Sequence, residues 1–400
     1  MSVRDARLRL GMVGGGPGAF IGAVHRMAAR LDDEYALVAM APSSNAERAQ
    51  ASGIELRIAP DRVYRDYRAM ARAEAARADG IEVVAIVVPN HLHYDVACAF
   101  LEAGIHVICD KPLTTNRADG EKLLALAQRK RCLFGLTHNY SGYPLVRAAR
   151  ELVAAGALGE LRVLQVEYAQ DWLAQPLEDS EHRQAAWRTD PALAGPAGCL
   201  GDIGSHAAHL AEFVSGQTPS EISAELRSFV PGRRVDDHVQ VQLRYASGAR
   251  GLLWASQVAC GEENGLRLRL YGSHGALRWQ QEQPNELWFT ELGQPARRLT
   301  RGMPGLPAAA AQATRIPAGH PEGFIEAFAQ LYRDFAVELR RHQHQHQHQH
   351  QHQHQHQHQH QRGEPVSPSL VPGLADGVRS LAFIEAVLQS HQHNSAWVAL

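Results

Sequence analysis

The chain has 400 residues, room for one large domain or two to three ordinary ones. Its 40 basic residues almost balance 42 acidic ones, a formal charge of −2, which argues against a nucleic-acid partner or a polybasic membrane anchor. Hydrophobic residues make up 45%, enough for a core, so global disorder is excluded. Apolar runs such as Val83–Val88 are far too short to span a bilayer. The opening MSVRDARLRL carries charges but no apolar stretch of a secretory signal. Five widely spaced cysteines, without a C-x-x-C pair, argue against a disulfide framework or structural zinc. A cytoplasmic setting is the expectation.

The first 140 residues alternate strand and helix. Leu8–Val13 reads as a strand ending at Gly14, and Phe20–Leu31 as the helix behind it. Tyr35–Met40 is the second strand. Ser44, three residues before Glu47, predicts a capping box for a helix through Ala51. Tyr67–Ala78 is Ala-rich and helical. Ile81–Val88 is an unbroken β-branched run, the pattern of a strand buried on both faces of a parallel sheet. A helix over Tyr94–Ala103, a strand over Ile105–Cys109, a helix over Arg117–Arg129 and a strand over Cys132–Leu136 follow. This rhythm predicts a doubly wound α/β domain over 1–140.

From 141 to 341 the rhythm changes. A helix over Pro144–Ala155 leads to a strand, Leu161–Ala169, and a helix near Ile203–Val214. Ile222–Phe229, Val239–Tyr245, Ala249–Gln257, Leu266–Tyr271 and Ala276–Gln280 alternate apolar and polar. Together they predict an α+β domain on a mostly antiparallel, open sheet. A helix over Pro321–Arg341 precedes a tenfold His-Gln repeat, residues 342–361, and a linker to 371. A polar dipeptide repeat cannot build a core, so 342–371 is expected to be disordered, an insertion tolerated at the surface. Residues 372–400 should return to the body as a helix, Leu374–Ser390, and a strand, Ala396–Leu400.

Five segments carry chemistry. Gly14, Gly15, Gly16, Gly18 and Gly22 fall between a strand and a helix beginning Phe20-Ile21. Such a loop lets backbone approach a pyrophosphate at a helix N-terminus, so Gly14, Gly16, Phe20, Ile21 and Gly22 are candidate dinucleotide contacts. The second strand runs into Ala41-Pro42-Ser43-Ser44-Asn45, without the acid that commonly takes the ribose of NAD. Ser43, Ser44 and Arg48 would suit the 2′-phosphate of NADP. The cofactor is therefore NAD or NADP, leaning to NADP. The third and fourth strands run into Pro89-Asn90-His91-Leu92-His93 and Asp110-Lys111-Pro112. Both lie where open α/β sheets bind ligands, beyond the strands' carboxyl ends. Lys111 is one of three lysines against 37 arginines, and a lysine is a compact donor whose charge can be tuned. The last segment is Gly201-Asp202-Ile203-Gly204-Ser205-His206, with His209 after it. On a helix starting near Asp202, residues 202, 206 and 209 share a face. The dipole at the helix start would keep His206 neutral and able to act as a base.

These motifs resemble the glucose–fructose oxidoreductase / inositol dehydrogenase (Gfo/Idh/MocA) family over nearly the whole chain. Asp110-Lys111-Pro112 stands for its E-K-P and Gly201–His206 for its G-D-x-G-x-H. The glycine loop is three residues longer than the usual form between Gly16 and Gly22. The resemblance implies that Lys111 polarises the substrate hydroxyl, His206 is the acid/base, and Asp202 orients substrate or histidine. Pro89, Asn90, His93, Asp110 and Lys111 itself would attend the cofactor. It further implies hydride transfer between NAD(P) and a sugar-like or cyclitol alcohol, and a homo-dimer or homo-tetramer. His138, Asn139, Tyr140, Trp187 and Arg188 are candidate substrate contacts. NAD-assisted glycoside cleavage and a non-catalytic dinucleotide-binding regulator are the alternatives. No metal site is expected.

Overall fold

The computed structural model describes residues 6–16, 18–180, 182–352 and 369–400. In chain order the first unit holds β1 (Leu8–Gly14), α1 (Phe20–Leu31), β2 (Tyr35–Ala41), α2 (Ala46–Glu55), α3 (Tyr67–Ala75) and β3 (Val83–Val87). Then come α4 (His93–Glu102), β4 (His106–Cys109), α5 (Arg117–Lys130) and β5 (Phe134–Leu136). The five strands are all parallel in the order β2-β1-β3-β4-β5. β3 shows why this order buries the sheet twice. Val83, Ala85 and Val87 enter one core with Leu10, Met12 and Val24. Val84 and Ile86 enter the other, with Val96, Phe100 and Leu123 of α4 and α5. Each side of the strand meets helices, so no polar alternation is tolerated.

The second unit holds α6 (Pro144–Ala154), β6 (Leu161–Ala169), α7 (Arg183–Arg188), α8 (Pro191–Ala194) and α9 (Ser205–Ser215). Strands β7 (Pro219–Arg227), β8 (His238–Tyr245), β9 (Arg250–Ser256), β10 (Gly265–Gly272), β11 (Gly275–Gln280), β12 (Glu286–Glu291) and β13 (Arg297–Thr300) follow. The chain continues through α10 (Ala308–Ala313), α11 (Phe324–His352), α12 (Leu374–Gln392) and β14 (Val398–Ala399). Nine strands form one sheet, β13-β12-β11-β10-β6-β9-β8-β7-β14. Every neighbouring pair is antiparallel except β6 with β9. In β8 the buried Val239, Val241, Leu243 and Tyr245 alternate with more exposed polar residues, so one face packs on helices. The other face leaves Val163, Leu252 and Tyr271 partly exposed. No helix among the described residues is long and apolar enough to cross a membrane.

Five points differ from expectation. The cap of α2 is Asn45, whose side chain accepts from the Arg48 N–H at 2.9 Å, not Ser44. The helix after Tyr67 stops at Ala75, and β12 and β13 were not foreseen. A π-helical turn, Leu200–Gly204, precedes α9, so Asp202 lies in that turn and not in the α-helix. Finally α11 continues to His352, so residues 342–352 of the His-Gln segment extend a helix and are not disordered. A helix already nucleated by a buried stem grows at little cost per residue, whatever the repeat's polarity. The remainder of the repeat, from 353, lies outside the described residues.

Candidate functional site: a dinucleotide groove and a lysine–aspartate–histidine cluster

The groove begins at the end of β1. Gly14 has φ +84°, and a Cβ there would sit 2.5 Å from the Val87 carbonyl oxygen. Gly22 is hemmed in too: a Cβ would meet the Gly15 Cα at 2.4 Å, so α1 leans directly on the loop. Arg26 of α1 braces the loop by donating to the Gly15 carbonyl at 2.7 Å. The N-cap of α1, Ala19, offers no side-chain cap, and the first turn holds no acid. The uncapped N–H groups and the glycine cradle fit a pyrophosphate. A cavity of about 500 Å³ opens beside them, lined by Gly14, Gly16, Ser43, Ser44, Arg48 and Arg65 among others. It shares Ala19, Val87, Val88 and Pro89 with a second cleft of about 240 Å³. Phe20, Ile21, Asn90, Asp110, Lys111, Trp187, Arg188 and Asp202 line that cleft. One continuous groove thus runs from the end of β2 to Lys111.

Lys111 follows β4, and the Lys111–Pro112 peptide is cis. Its ammonium donates to the Asp202 carboxylate at 2.9 Å and to the Asp202 backbone oxygen at 2.5 Å. The carboxylate's second oxygen accepts from the Gln257 amide at 2.9 Å and faces the Arg188 guanidinium at 3.5 Å. Burial alone would raise the Asp202 pKa; Lys111 and Arg188 outweigh it and hold the carboxyl well below its usual range. Asp110 follows the same pattern. Burial opposes ionisation, but His25, Lys111 and the Thr137 hydroxyl at 2.7 Å keep it ionised. An ionised Asp202, held between Lys111 and Gln257, is placed as a clamp on Lys111 and not as a base.

His206 stands on the next helical turn. Burial lowers its pKa well below 6.5, and the Lys111 charge adds to that, against Asp202 and Asp110. The ring is neutral at pH 7 for these reasons. The helix-start dipole is not needed, since the π turn extends the helical path before α9. His138 lies perpendicular to His206, ring centroids 5.5 Å apart, and stacks flat on His209 at 4.1 Å. Both are neutral as well: burial pushes His209 down to about 4 and His138 well below its ordinary value.

The structure brings together Lys111, Asp202 and His206, and puts Asn90, Trp187 and Arg188 at the same cleft. It separates others from it. His93 is buried, with ring nitrogens 2.6 Å from the Pro112 carbonyl and 3.0 Å from that of Val88. It ties β3's exit to the Lys111 turn and does not face the cofactor groove. His138 and Asn139 are enclosed, and the His138 nitrogens and Asn139 Nδ2 have no hydrogen-bond partner among the described residues. They pack behind His206 and do not line the cleft. Tyr140 sits edge-on to His206 at 4.9 Å and shares a 2.5 Å hydroxyl–hydroxyl bond with Tyr168. Gln257 escaped sequence reasoning; as the last residue of a strand run that already mixes polar and apolar side chains, it carries no signal of its own. Arg26 and Arg65 escaped it as well, as two arginines among many.

Residues 8–138 match the model of the oxidoreductase family with an NAD-binding Rossmann fold, and residues 146–278 match the Gfo/Idh/MocA C-terminal domain. An uncharacterized oxidoreductase, YfiI, of Bacillus subtilis is 34% identical over 98% of this chain and 96% of its own. An oxidoreductase from Sinorhizobium meliloti is 47% identical, with a TM-score of 0.84 over 98% of this chain and 99% of that one. An inositol dehydrogenase homolog from Azotobacter vinelandii, complexed with NADH and myo-inositol, is 33% identical, with a TM-score of 0.88 over 99% and 98% of the two chains. The chain belongs to the Gfo/Idh/MocA family and is an NAD-binding oxidoreductase of the dehydrogenase type that acts on CH–OH groups.

Proposed function

We propose that the protein transfers hydride reversibly between a nicotinamide and a secondary alcohol or ketone of a sugar, sugar derivative or cyclitol. The observation that carries this is the state of Lys111. An ammonium has three N–H bonds. Two are held by Asp202, so one remains for a ligand oxygen in the cleft. The bound nicotinamide would supply the redox chemistry. The chain supplies orientation and charge. Lys111 donates its free N–H to the reacting oxygen and stabilises alkoxide character there. Asp202 keeps that ammonium aimed. His206, neutral and buried beside the pair, takes the hydroxyl proton in oxidation and returns it in reduction. Trp187 and Arg188 flank the substrate; the guanidinium lies 4.2 Å over the indole, which stiffens both. Myo-inositol in the related Azotobacter vinelandii complex supports a polyol of this size.

NADP is our preferred cofactor. Ser43, Ser44, Arg48 and Arg65 line the adenosine end of the groove, and β2 ends without an acid. Asp66 also lines it, but its carboxylate is taken up capping α3 through the Arg68 and Ala69 N–H groups. A screen at the nicotinamide absorbance band, with NAD and NADP against polyols, sugars and keto-sugars, tests both statements. Turnover with a polyol, faster with NADP, is the expected result. No turnover with any of them would overturn the dehydrogenase reading, and sugar release without a net absorbance change would point to glycoside cleavage.

A further inference from the structure

His25 of α1 is wholly buried, yet one of its ring nitrogens lacks a hydrogen bond. Nδ1 meets the Tyr332 hydroxyl of α11 at 2.8 Å. Nε2 has no hydrogen-bond partner among the described residues. It faces Oδ1 of Asp110 at 4.0 Å, too long for a hydrogen bond but close enough for attraction to the charge. Phe328 and Tyr332 of α11 pack on the imidazole, ring centroids 5.2 Å and 5.8 Å away. The tautomer follows from these neighbours. Burial and the nearby Asp110 charge raise the pKa of the Tyr332 phenol, so it keeps its proton. It donates that proton to Nδ1, and the imidazole N–H is then on Nε2. The other tautomer would turn a bare lone pair towards the Asp110 carboxylate, which an enclosed site disfavours.

Asp110 Oδ1 already accepts from the Thr137 hydroxyl at 2.7 Å. His25 and Thr137 therefore act on the same oxygen, one from α1 and the other from the end of β5. Burial works against the charge on Asp110, and His25 is foremost among the groups that offset it. Asp110 lines the cleft beside Lys111, so Oδ2 is the oxygen left for a ligand there. Ala19 and Phe20, at the start of α1, line the same cleft. A dinucleotide with its pyrophosphate at the start of α1 and its reactive carbon near Lys111 lays the nicotinamide ribose alongside Asp110. A carboxylate oxygen without a partner suits a ribose hydroxyl as donor. We propose that His25 is a positioning residue of the cofactor site: oriented by Tyr332, it directs its N–H at the inner oxygen of Asp110 and so presents the outer oxygen to the nicotinamide ribose. The inference rests on the nicotinamide dehydrogenase reading above. It adds a residue that touches neither cofactor nor substrate. α1 then serves the dinucleotide twice, at its N-terminus and through Asp110, and α11 takes part through one hydroxyl.

The test is calorimetric titration of the full chain and needs no substrate. The probes are NADPH and NADH, which carry the nicotinamide ribose, and ADP and its 2′-phosphate, which lack it. His25→Leu removes the N–H and should weaken NADPH and NADH about tenfold, while ADP and its 2′-phosphate stay within about twofold of the wild type. His25→Gln can still donate towards Asp110 and should recover most of the loss. Tyr332→Phe frees the imidazole to take either tautomer and should weaken the dinucleotides about threefold. In an Asp110→Asn background, His25→Leu should weaken binding no further, because it acts through that carboxylate. A merely structural His25 would weaken ADP as much as NADPH, or add its full loss to that of Asp110→Asn; either result overturns the proposal. Should His25→Leu not fold, Tyr332→Phe in both backgrounds decides by the same comparison. A wild type that binds neither NADPH nor NADH would instead overturn the dehydrogenase reading, and this inference with it.

Discussion

His209 offers a stability test whose size follows from its surroundings. The ring is 8% exposed and stacked on His138. Burial pushes its pKa down to about 4; Arg379 and Arg150 add to this and Asp376 opposes it. In the unfolded chain a histidine titrates near 6.5. The native state therefore holds the neutral ring while the unfolded state gains a proton as pH falls below that value. Stability from this residue is complete above pH ~6.5 and is lost on acidification towards the folded value. The gap of about 2.5 units, at ~1.4 kcal/mol each, makes about 3 kcal/mol over the whole window. Between pH 7 and pH 5 it amounts to about 2 kcal/mol. His209→Gln removes the titration but keeps a neutral polar side chain. Urea unfolding of both proteins at several pH values between 7 and 5 is the assay. The variant starts less stable at pH 7, having lost the stack, and the gap should narrow by about 2 kcal/mol at pH 5. Curves that stay parallel would refute the claim that His209 is buried neutral, and with it the account of His206 as a ring kept neutral by the same enclosure.

Lys111→Ala should cut turnover at least ~100-fold while cofactor affinity, followed by fluorescence titration, stays near that of the wild type. Full turnover would remove Lys111 from the mechanism. Gln257→Leu deletes one donor from Asp202 and should slow the enzyme by about tenfold, the rate equivalent of one hydrogen bond. Gln257→Glu should be worse, because two carboxylates at that distance cannot both ionise easily; equal rates for the two would refute the clamp. Gly14→Ala combines a positive φ with a Cβ 2.5 Å from the Val87 carbonyl, and should lower stability by about 1–3 kcal/mol and weaken dinucleotide binding. Thermal melts with and without cofactor measure both effects.

The N-terminal sheet was legible because its central strand buries both faces, which leaves the unmistakable Val83–Val87 run. β12 and β13 were not, since Glu286–Glu291 and Arg297–Thr300 are short, charged strands at one end of their sheet, where polarity is expected. Asn45 displaced Ser44 as a cap because three capping residues stand in a row and only backbone geometry chooses among them. Lys111, Asp202 and His206 could be singled out from motif position. Their mutual arrangement could not, for Asp202 and its Gln257 partner are 55 residues apart. His93 marks the limit of positional reasoning. A strand's carboxyl end gives the place, but the side chain turned to the Val88 and Pro112 carbonyls instead of the groove.

The placement of α11 has a consequence for synthesis and for engineering. Its residues Phe328, Tyr332, Phe335 and Leu339 complete one face of the parallel sheet, alongside Leu10, Val24 and Val83. The Tyr332 hydroxyl meets His25 of α1 at 2.8 Å, and its backbone oxygen takes the Tyr35 hydroxyl at 2.7 Å. The cofactor-binding half is thus finished by a helix made some two hundred residues later. A nascent chain would hold that face open until α11 has left the ribosome. A fragment cut after Tyr140 would carry the glycine loop and Lys111, yet lack the cover that keeps its sheet from water. Exchange of dinucleotide modules between relatives would therefore have to carry the α11 stem along with the first 140 residues.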